Sequence, residues 1–112
     1  MPNHIATLDR VFQALADPTR REVLTRLADG PAATTELAKG FDMALPSFLQ
    51  HLGVLETCGL VRSKKQGRVR TYRLAPKRLT AAEDWLGERR ALWEGRLDRL
   101  DAYLGTLKDK EK

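Results

Sequence analysis

Hydrophobic residues recur at every third or fourth position in several stretches of the chain, a spacing typical of helices that bury one face. The first stripe predicts a helix over about 5–16 and consists of Ile5, Leu8, Phe12 and Leu15. Asp17 and Pro18 predict its end and the beginning of a second helix over 18–28. Proline disfavours helical geometry in the residue before it and fits the first position of a helix.

Residues 34–60 predict two further short helices separated by a turn that contains glycine. The first is expected over 34–39, with Thr34 or Thr35 as its N-cap and Gly40 in the left-handed region after its end. This arrangement predicts a helix-turn-helix, which the rest of the chain would surround.

The second helix of this pair is expected to begin near Leu45, with Pro46 in its first turn, and to end at Gly59. Its predicted buried stripe is Leu45, Phe48, Leu52 and Leu55. The other side carries Pro46, Ser47, Gln50 and His51. Neutral polar side chains on an outward helix face are suited to reading base edges in a DNA major groove. Taken alone, the pattern fits an ordinary amphipathic helix equally well.

A β-hairpin is predicted next, because β-branched and aromatic residues in 60–65 and 68–74 flank Gln66 and Gly67. Its apolar base is formed by Leu60, Val61, Tyr72 and Leu74. Its cationic tip gives the candidate phosphate or minor-groove contacts Lys64, Lys65, Arg68 and Arg70. Such a hairpin is a wing able to follow a phosphate backbone. The alternative is a charged, solvated hairpin that resists pairing with other strands.

The distribution of charge supports the wing. The chain has a formal net charge of +5, and the segment from Arg62 to Arg78 holds eight basic residues and no acidic one. Outside this segment acidic residues outnumber basic ones, 15 to 12. The positive excess therefore lies in one stretch, as expected for a protein that binds nucleic acid.

A long last helix is predicted over about 79–107, followed by a frayed tail at 108–112. Its apolar stripe is Ala82, Leu86, Trp93, Leu97, Leu100, Leu104 and Leu107. Such a helix extends beyond what a small domain covers, which favours a second copy related by a two-fold axis. The predicted dimer interface on this helix is Leu86, Trp93, Leu97, Leu100 and Leu104, with Trp85 left open. Gly87, Gly95 and Gly105 suggest close helix approach or a local break.

Length and composition limit the remaining classes of protein. The 112 residues suit one domain, with a core over about 5–105. No apolar run is long enough for a membrane span and no leader pattern is present, so a soluble cytoplasmic protein is expected. No phosphate-binding glycine loop or paired catalytic groups are recognisable, so no enzymatic activity is expected. The single Cys58 forms neither an intrachain disulfide nor a zinc site.

Several short motifs together resemble the ArsR-type winged-helix transcriptional repressors of bacteria, over about 5–105. The motifs are Ala14-Leu15-Ala16-Asp17-Pro18-Thr19-Arg20-Arg21, Glu36-Leu37-Ala38, His51-Leu52-Gly53-Val54-Leu55-Glu56-Thr57-Cys58-Gly59-Leu60-Val61, Gly67-Arg68 and Tyr72-Arg73-Leu74. The resemblance implies a mainly α fold with a β-hairpin wing, in the order α-α-α-α-β-β-α. It also implies a homodimer through the first and last helices, so that Leu8 and Phe12 of the first helix join the interface. The two recognition helices would lie ~34 Å apart on a palindromic operator.

Departures from the family pattern bear on metal sensing. Members that sense metals carry a Cys-x-Cys pair where this chain has Ala38 and Gly40, and others use His on the last helix. Here the only histidines are His4 and His51. Because borderline-soft metals require thiolate or imidazole clusters, we expect a metal-independent protein without a cofactor.

The recognition helix departs from the family pattern as well. Ala44 replaces the usual serine N-cap, and Leu49 replaces a common polar DNA contact. Leu49 either touches a thymine methyl group or extends the core. His51 lies at the DNA face by the resemblance, although a histidine beside Leu52 is often a packed side chain that holds the turn.

These observations predict a sequence-specific DNA-binding repressor that acts as a homodimer. Gln50 and Ser47 would contact bases in double-stranded DNA, and repression would follow from excluding polymerase. The alternative is a winged-helix module that binds a protein through its basic wing. The effector stays open. Cys58 is a candidate redox sensor, but its Leu-rich neighbourhood predicts a buried, inert thiol. The other possibilities are a small hydrophobic ligand between the long helices and no effector at all.

Overall fold

The computed structural model describes residues 4–110, with side chains described for 7–108. The elements are α1 (His4–Leu15), α2 (Pro18–Leu27), β1 (Ala32–Ala33), α3 (Thr34–Ala38), α4 (Leu45–Thr57), β2 (Val61–Gln66), β3 (Val69–Leu74) and α5 (Lys77–Lys110). This order confirms the winged helix-turn-helix and adds one short strand to it. The chain divides after Ala82 into two units, which are described separately below.

The boundary between α1 and α2 follows the prediction from Asp17 and Pro18. The Asp17 carboxylate accepts a hydrogen bond from the backbone N–H of Arg20 at 3.1 Å. Pro18 occupies the first turn of α2, where backbone N–H groups have no acceptor within the helix, so its missing N–H costs no hydrogen bond.

The predicted cap and turn of α3 were wrong. Ala33 is the N-cap and makes no side-chain cap bond. Because β1 holds the preceding residues in the sheet, the Thr34 hydroxyl instead donates to the carbonyl oxygen of Arg70 in β3, at 3.1 Å. Gly40 has no positive φ. It is needed for space, because a Cβ atom there would overlap the guanidinium of Arg26 unless that side chain moved.

The three strands form an antiparallel sheet in the order β1-β3-β2. The strand β1 was not predicted, since two alanines carry no alternating pattern. Gln66 pairs with Val69, so Gly67 and Arg68 form the turn of the hairpin. Gly67 has φ 65°, which fits the first central position of a type II′ turn.

The core of the first unit lies between the helices and the inner face of the sheet. It consists of Val11, Ala14, Val23, Leu27, Leu37, Phe48, Leu52, Leu55, Cys58, Leu60, Val61, Tyr72 and Ala82. The predicted stripe of α4 is correct except for Leu45, which is 53% exposed. Leu45 is the first residue of α4, so no preceding helical turn covers it. The apolar base of the hairpin is confirmed, with Leu60, Val61 and Tyr72 buried.

The last helix, α5, continues through 34 residues without a break, and its residues from Glu83 onward belong to the second unit. It extends past the predicted end at 107 and includes 108–110, which were expected to fray; residues 111 and 112 lie outside the described range. No break occurs at Gly87, Gly95 or Gly105, and helical spacing places all three away from the predicted stripe. The large apolar side chains of this unit are exposed: Trp85, Leu86, Leu92, Trp93, Leu97, Leu100, Tyr103, Leu104 and Leu107. None of the helices in residues 4–110 has an apolar stretch sufficient to cross a membrane.

Replacing Leu52 by alanine tests the core beneath α4. Leu52 is fully buried, so Leu52→Ala is expected to lower the free energy of unfolding by about 2–5 kcal/mol. Leu45→Ala, on the same helix but exposed, should change it by less than about 0.5 kcal/mol. Urea denaturation followed by circular dichroism measures both. Equal losses in the two variants would contradict this packing.

Candidate nucleic-acid interface

The outward face of α4 carries Pro46, Ser47 and Gln50, and all three are exposed. The side chains of Ser47 and Gln50 make no hydrogen bond with any described residue, so their polar groups are free for a ligand. Ala44 is the N-cap and makes no side-chain cap bond, because its methyl group has no hydrogen-bond acceptor. This part of α4 therefore presents amide and hydroxyl groups to solvent on a helix whose opposite side is buried.

Leu49 does not extend the core, because its side chain is 43% exposed. It lies one helical turn after Leu45, which is exposed too. The two leucines form a small apolar strip beside the polar face of α4. An apolar group at this position is suited to contact with a thymine methyl group.

His51 is held by residues of α2 instead of lying free on the outward face. Its Nδ1 lies 3.2 Å from a guanidinium nitrogen of Arg20 and 3.7 Å from the Asp17 carboxylate. Because a guanidinium only donates hydrogen bonds, Nδ1 is the acceptor in the contact with Arg20. This geometry favours the packed interpretation of His51.

The guanidinium of Arg20 links three elements. Its Nε donates to the carbonyl oxygen of Ala14 at 2.8 Å, and a terminal nitrogen donates to that of Gln13 at 3.0 Å. The contact with His51 completes the link from the end of α1 to α4. The orientation of α4 is therefore fixed by polar contacts as well as by its buried stripe.

Asp17 takes part in the same network through its charge. Partial burial raises the pKa of its carboxyl group, but the hydrogen bonds from the backbone of Arg20 and Thr19 and the charge of Arg20 outweigh burial. The net effect is a pKa below the ordinary value. The ionised form of Asp17 thus stabilises the folded state.

The register of the hairpin divides its side chains between two faces. Opposite residues share a face, so the inner face carries the pairs Val61/Leu74, Ser63/Tyr72 and Lys65/Arg70. The outer face carries Arg62/Arg73, Lys64/Thr71 and Gln66/Val69. Of the predicted wing residues, Lys65 and Arg70 extend the inner face, Lys64 lies on the outer face and Arg68 lies in the turn. They surround the wing tip instead of sharing one face.

Arg70 differs from the other predicted wing residues because it is tied to α4. Its guanidinium donates to the Ser63 hydroxyl at 2.8 Å, and this hydroxyl donates to the Glu56 carboxylate at 2.6 Å. The side chains of Lys64, Lys65 and Arg68 are exposed and make no hydrogen bond or ion pair within the described range. Arg70 thus braces the wing, while the other three cations are available to an anionic ligand.

Cys58 is buried at the end of α4, and its thiol donates to the carbonyl oxygen of Leu55 at 3.3 Å. Burial raises the pKa of the thiol, which keeps it protonated and unreactive at neutral pH. The expected burial is confirmed. In residues 4–110 no three His, Cys, Asp or Glu side chains lie close enough together to hold a metal ion.

Known proteins share both the sequence and the fold. A helix-turn-helix domain model matches residues 15–64. The HTH-type transcriptional regulator Rv2034 of Mycobacterium tuberculosis is 48% identical over 73 residues, covering 65% of this chain and 68% of that protein.

Solved structures of related proteins have the same fold. The crystal structure of an ArsR family transcriptional regulator is 55% identical with a TM-score of 0.78, covering 84% of this chain and 97% of the other. The homodimeric winged helix-turn-helix DNA-binding domain Mb0332 of Mycobacterium bovis is 28% identical with a TM-score of 0.62, covering 79% and 83%.

A helix-turn-helix with an exposed polar face, followed by a cationic hairpin, defines the class of winged-helix DNA-binding transcriptional regulators. Together with the similarity in sequence, this places the chain in one family of that class. The chain belongs to the ArsR family of transcriptional regulators.

The lowered pKa of Asp17 predicts a pH-dependent contribution to stability. Its ionised form should contribute above the unfolded pKa of about 3.9, and the contribution should be lost as pH falls through the lower folded pKa. Asp17→Asn keeps a capping side chain but removes the charge, so at pH 7 it should lower the free energy of unfolding by about 0.3–1 kcal/mol. This difference from wild type should become smaller at pH values well below 4.

Urea denaturation at pH 7 and at pH 3 measures the effect. Asp42→Asn is the control, because Asp42 is exposed and has no partner within the described range. It should change the free energy of unfolding by less than about 0.5 kcal/mol at pH 7. An Asp17→Asn deficit that grew toward low pH would contradict the assigned sign.

Proposed function

We propose that this regulator is a homodimeric repressor that reads a palindromic operator with the outward face of α4. Ser47 and Gln50 contact base edges, with Pro46 beside them, and Lys64, Lys65 and Arg68 contact phosphates or the minor groove. The observation that carries the proposal is that Gln50 is exposed and unpaired on a helix whose other side is buried. Repression follows because a bound dimer excludes polymerase from the promoter.

Two of the residues predicted to contact DNA take different roles in this proposal. His51 positions α4 through its contact with Arg20, since its Nδ1 accepts a hydrogen bond from that guanidinium. Arg70 braces the wing through Ser63. Both act on DNA binding indirectly, by fixing the elements that carry the reading and phosphate-binding groups.

The dimer is supported by the exposed apolar side chains of α5. Leu86, Trp93, Leu97, Leu100 and Leu104 recur along one stripe of this helix, and all are exposed. In α1, Leu8 and Phe12 are partly buried and are proposed to join the same interface. A second copy about a two-fold axis would cover the stripe and present two copies of α4 to a symmetric operator.

The regulator is proposed to act without a metal ion. Cys58, the only cysteine in the sequence, is buried and protonated, and a lone thiol does not form a zinc or copper site. Burial likewise argues against Cys58 as a redox sensor, because oxidation requires an accessible thiolate.

Gln50→Ala and Arg68→Ala separate base reading from phosphate contact. Gln50→Ala should relax the preference at one base position and cost about 1–3 kcal/mol on the operator, with little effect on random DNA. Arg68→Ala should weaken binding to all sequences and reduce the slope of log K against log salt by about 0.9 for each phosphate that the variant no longer neutralises. Electrophoretic mobility shifts over a salt series measure both. An equal loss of affinity for operator and random DNA in Gln50→Ala would rule out a reading role.

Leu97→Glu tests the dimer. Each protomer would then carry a negative charge on the apolar stripe that the dimer buries. We therefore expect the dimer dissociation constant to rise at least about 100-fold. Ala91→Glu adds the same charge on the opposite side of α5 and should leave the dimer intact. Sedimentation velocity over a concentration series measures both. A dimeric Leu97→Glu variant would exclude this interface.

A further inference from the structure

The outer face of the sheet carries positive charges that the recognition helix and the wing tip do not explain. Arg62 and Arg73 lie directly opposite each other on β2 and β3. Like charges in this arrangement destabilise a sheet. Neither side chain makes a hydrogen bond or ion pair within the described range.

Two further cations lie beside this pair. Lys64 follows Arg62 on the same face of β2, and Lys77 begins α5 just after β3. Two shallow clefts share both arginines, one also lined by Lys64 and the other by Lys77. None of the residues that line either cleft is acidic. We name the four cations Arg62, Lys64, Arg73 and Lys77 the outer sheet face.

Apart from Lys64 at its edge, which the proposed function already assigns to the operator, this surface is distinct from the one that contacts the operator. The inner face of the same hairpin carries Val61 and Tyr72, which are buried in the core with α4. Because successive side chains of a strand point to opposite faces, the outer sheet face is directed away from this core. It therefore lies on the other side of the sheet from α4.

We propose that the outer sheet face binds phosphates of the duplex DNA that flanks the operator. Residues two apart on a strand are separated by ~6.6 Å, which is comparable with the through-space distance between adjacent phosphates of one DNA strand, since each phosphate rises ~3.4 Å along the axis and is also rotated about it. Arg62 and Lys64 are therefore spaced to follow one phosphate backbone, with Arg73 beside them. The inference rests on the proposed function, because a flanking segment exists only where α4 holds an operator.

Such contact would give affinity without sequence preference. It would also relieve the repulsion between Arg62 and Arg73, since a bound phosphate places negative charge between them. Flanking duplex reaches a surface directed away from α4 only by bending toward it, so the contact favours flexible flanking sequences.

The test compares a minimal operator with the same operator extended by about ten base pairs on each side. The double variant Arg62→Gln/Arg73→Gln removes the opposed pair, and Arg99→Gln/Lys108→Gln removes two exposed charges of α5 as the control. Arg62→Lys/Arg73→Lys keeps the charge. Fluorescence anisotropy over a salt series gives the dissociation constant for each protein on each duplex.

We expect extension to tighten binding by wild type about tenfold at low salt, and to steepen its salt slope by about 1.8 per protomer if two phosphates are contacted. The Gln double variant should lose this gain yet bind the minimal operator within about twofold of wild type. The Lys double variant and the α5 control should keep the gain. The melting temperature of the Gln double variant should equal or exceed that of wild type, because a repulsive pair is removed.

Three results would overturn the inference. If wild type binds both duplexes equally, flanking DNA adds no affinity. If the Gln double variant keeps the gain in affinity, residues other than Arg62 and Arg73 cause it. A Gln double variant that loses the same factor on both duplexes places the arginines at the operator itself. Failure of the proposed function is distinguishable, because wild type would then bind the minimal operator no better than random DNA.

Discussion

The interface depends on the burial of one stripe of α4. Phe48, Leu52 and Leu55 are almost completely removed from water, and each such side chain contributes about 1.5–3 kcal/mol to this orientation. With 100° between successive residues, burial of this stripe directs Gln50 away from the core. The same hydrophobic contact that stabilises the domain therefore determines which side chains can meet DNA, and Arg20 and His51 remove the remaining rotational freedom.

The wing follows the same principle at the sheet. Burial of Val61 and Tyr72 fixes the face of β2 and β3 that packs on the helices, and Gly67 in the turn fixes the register. Every cation of the hairpin is then assigned to a face by the alternation of side chains along a strand. Arg70 and Lys64 are both basic and both near the tip, but they lie on opposite faces and have different partners.

Periodic burial was predictable from the sequence, whereas polar pairing was not. The helices, the hairpin and most of the α4 stripe follow from spacing alone, and Asp17 and Pro18 gave the boundary of α2 correctly. The cap of α3 was wrong because the Thr34 hydroxyl has a partner 36 residues away, in β3. The contact of His51 with Arg20 spans 31 residues and leaves no local pattern. The Arg62/Arg73 pair could have been found, since the two residues are equally distant from the turn at Gly67 and Arg68.

The second unit differs from the first in what stabilises its helical state. From Glu83 onward α5 carries large apolar side chains that are exposed, and the glycines at 87, 95 and 105 each cost up to ~1 kcal/mol of helix stability. An isolated helix with these properties is marginal in water, since helices in proteins gain most of their stability from packing an apolar face. The glycines lie away from the apolar stripe, so they lower the intrinsic stability of α5 without interrupting the surface that a partner would cover. Order in α5 and association between chains are therefore expected to be coupled, and the dimer proposed here would stabilise the helix that forms it.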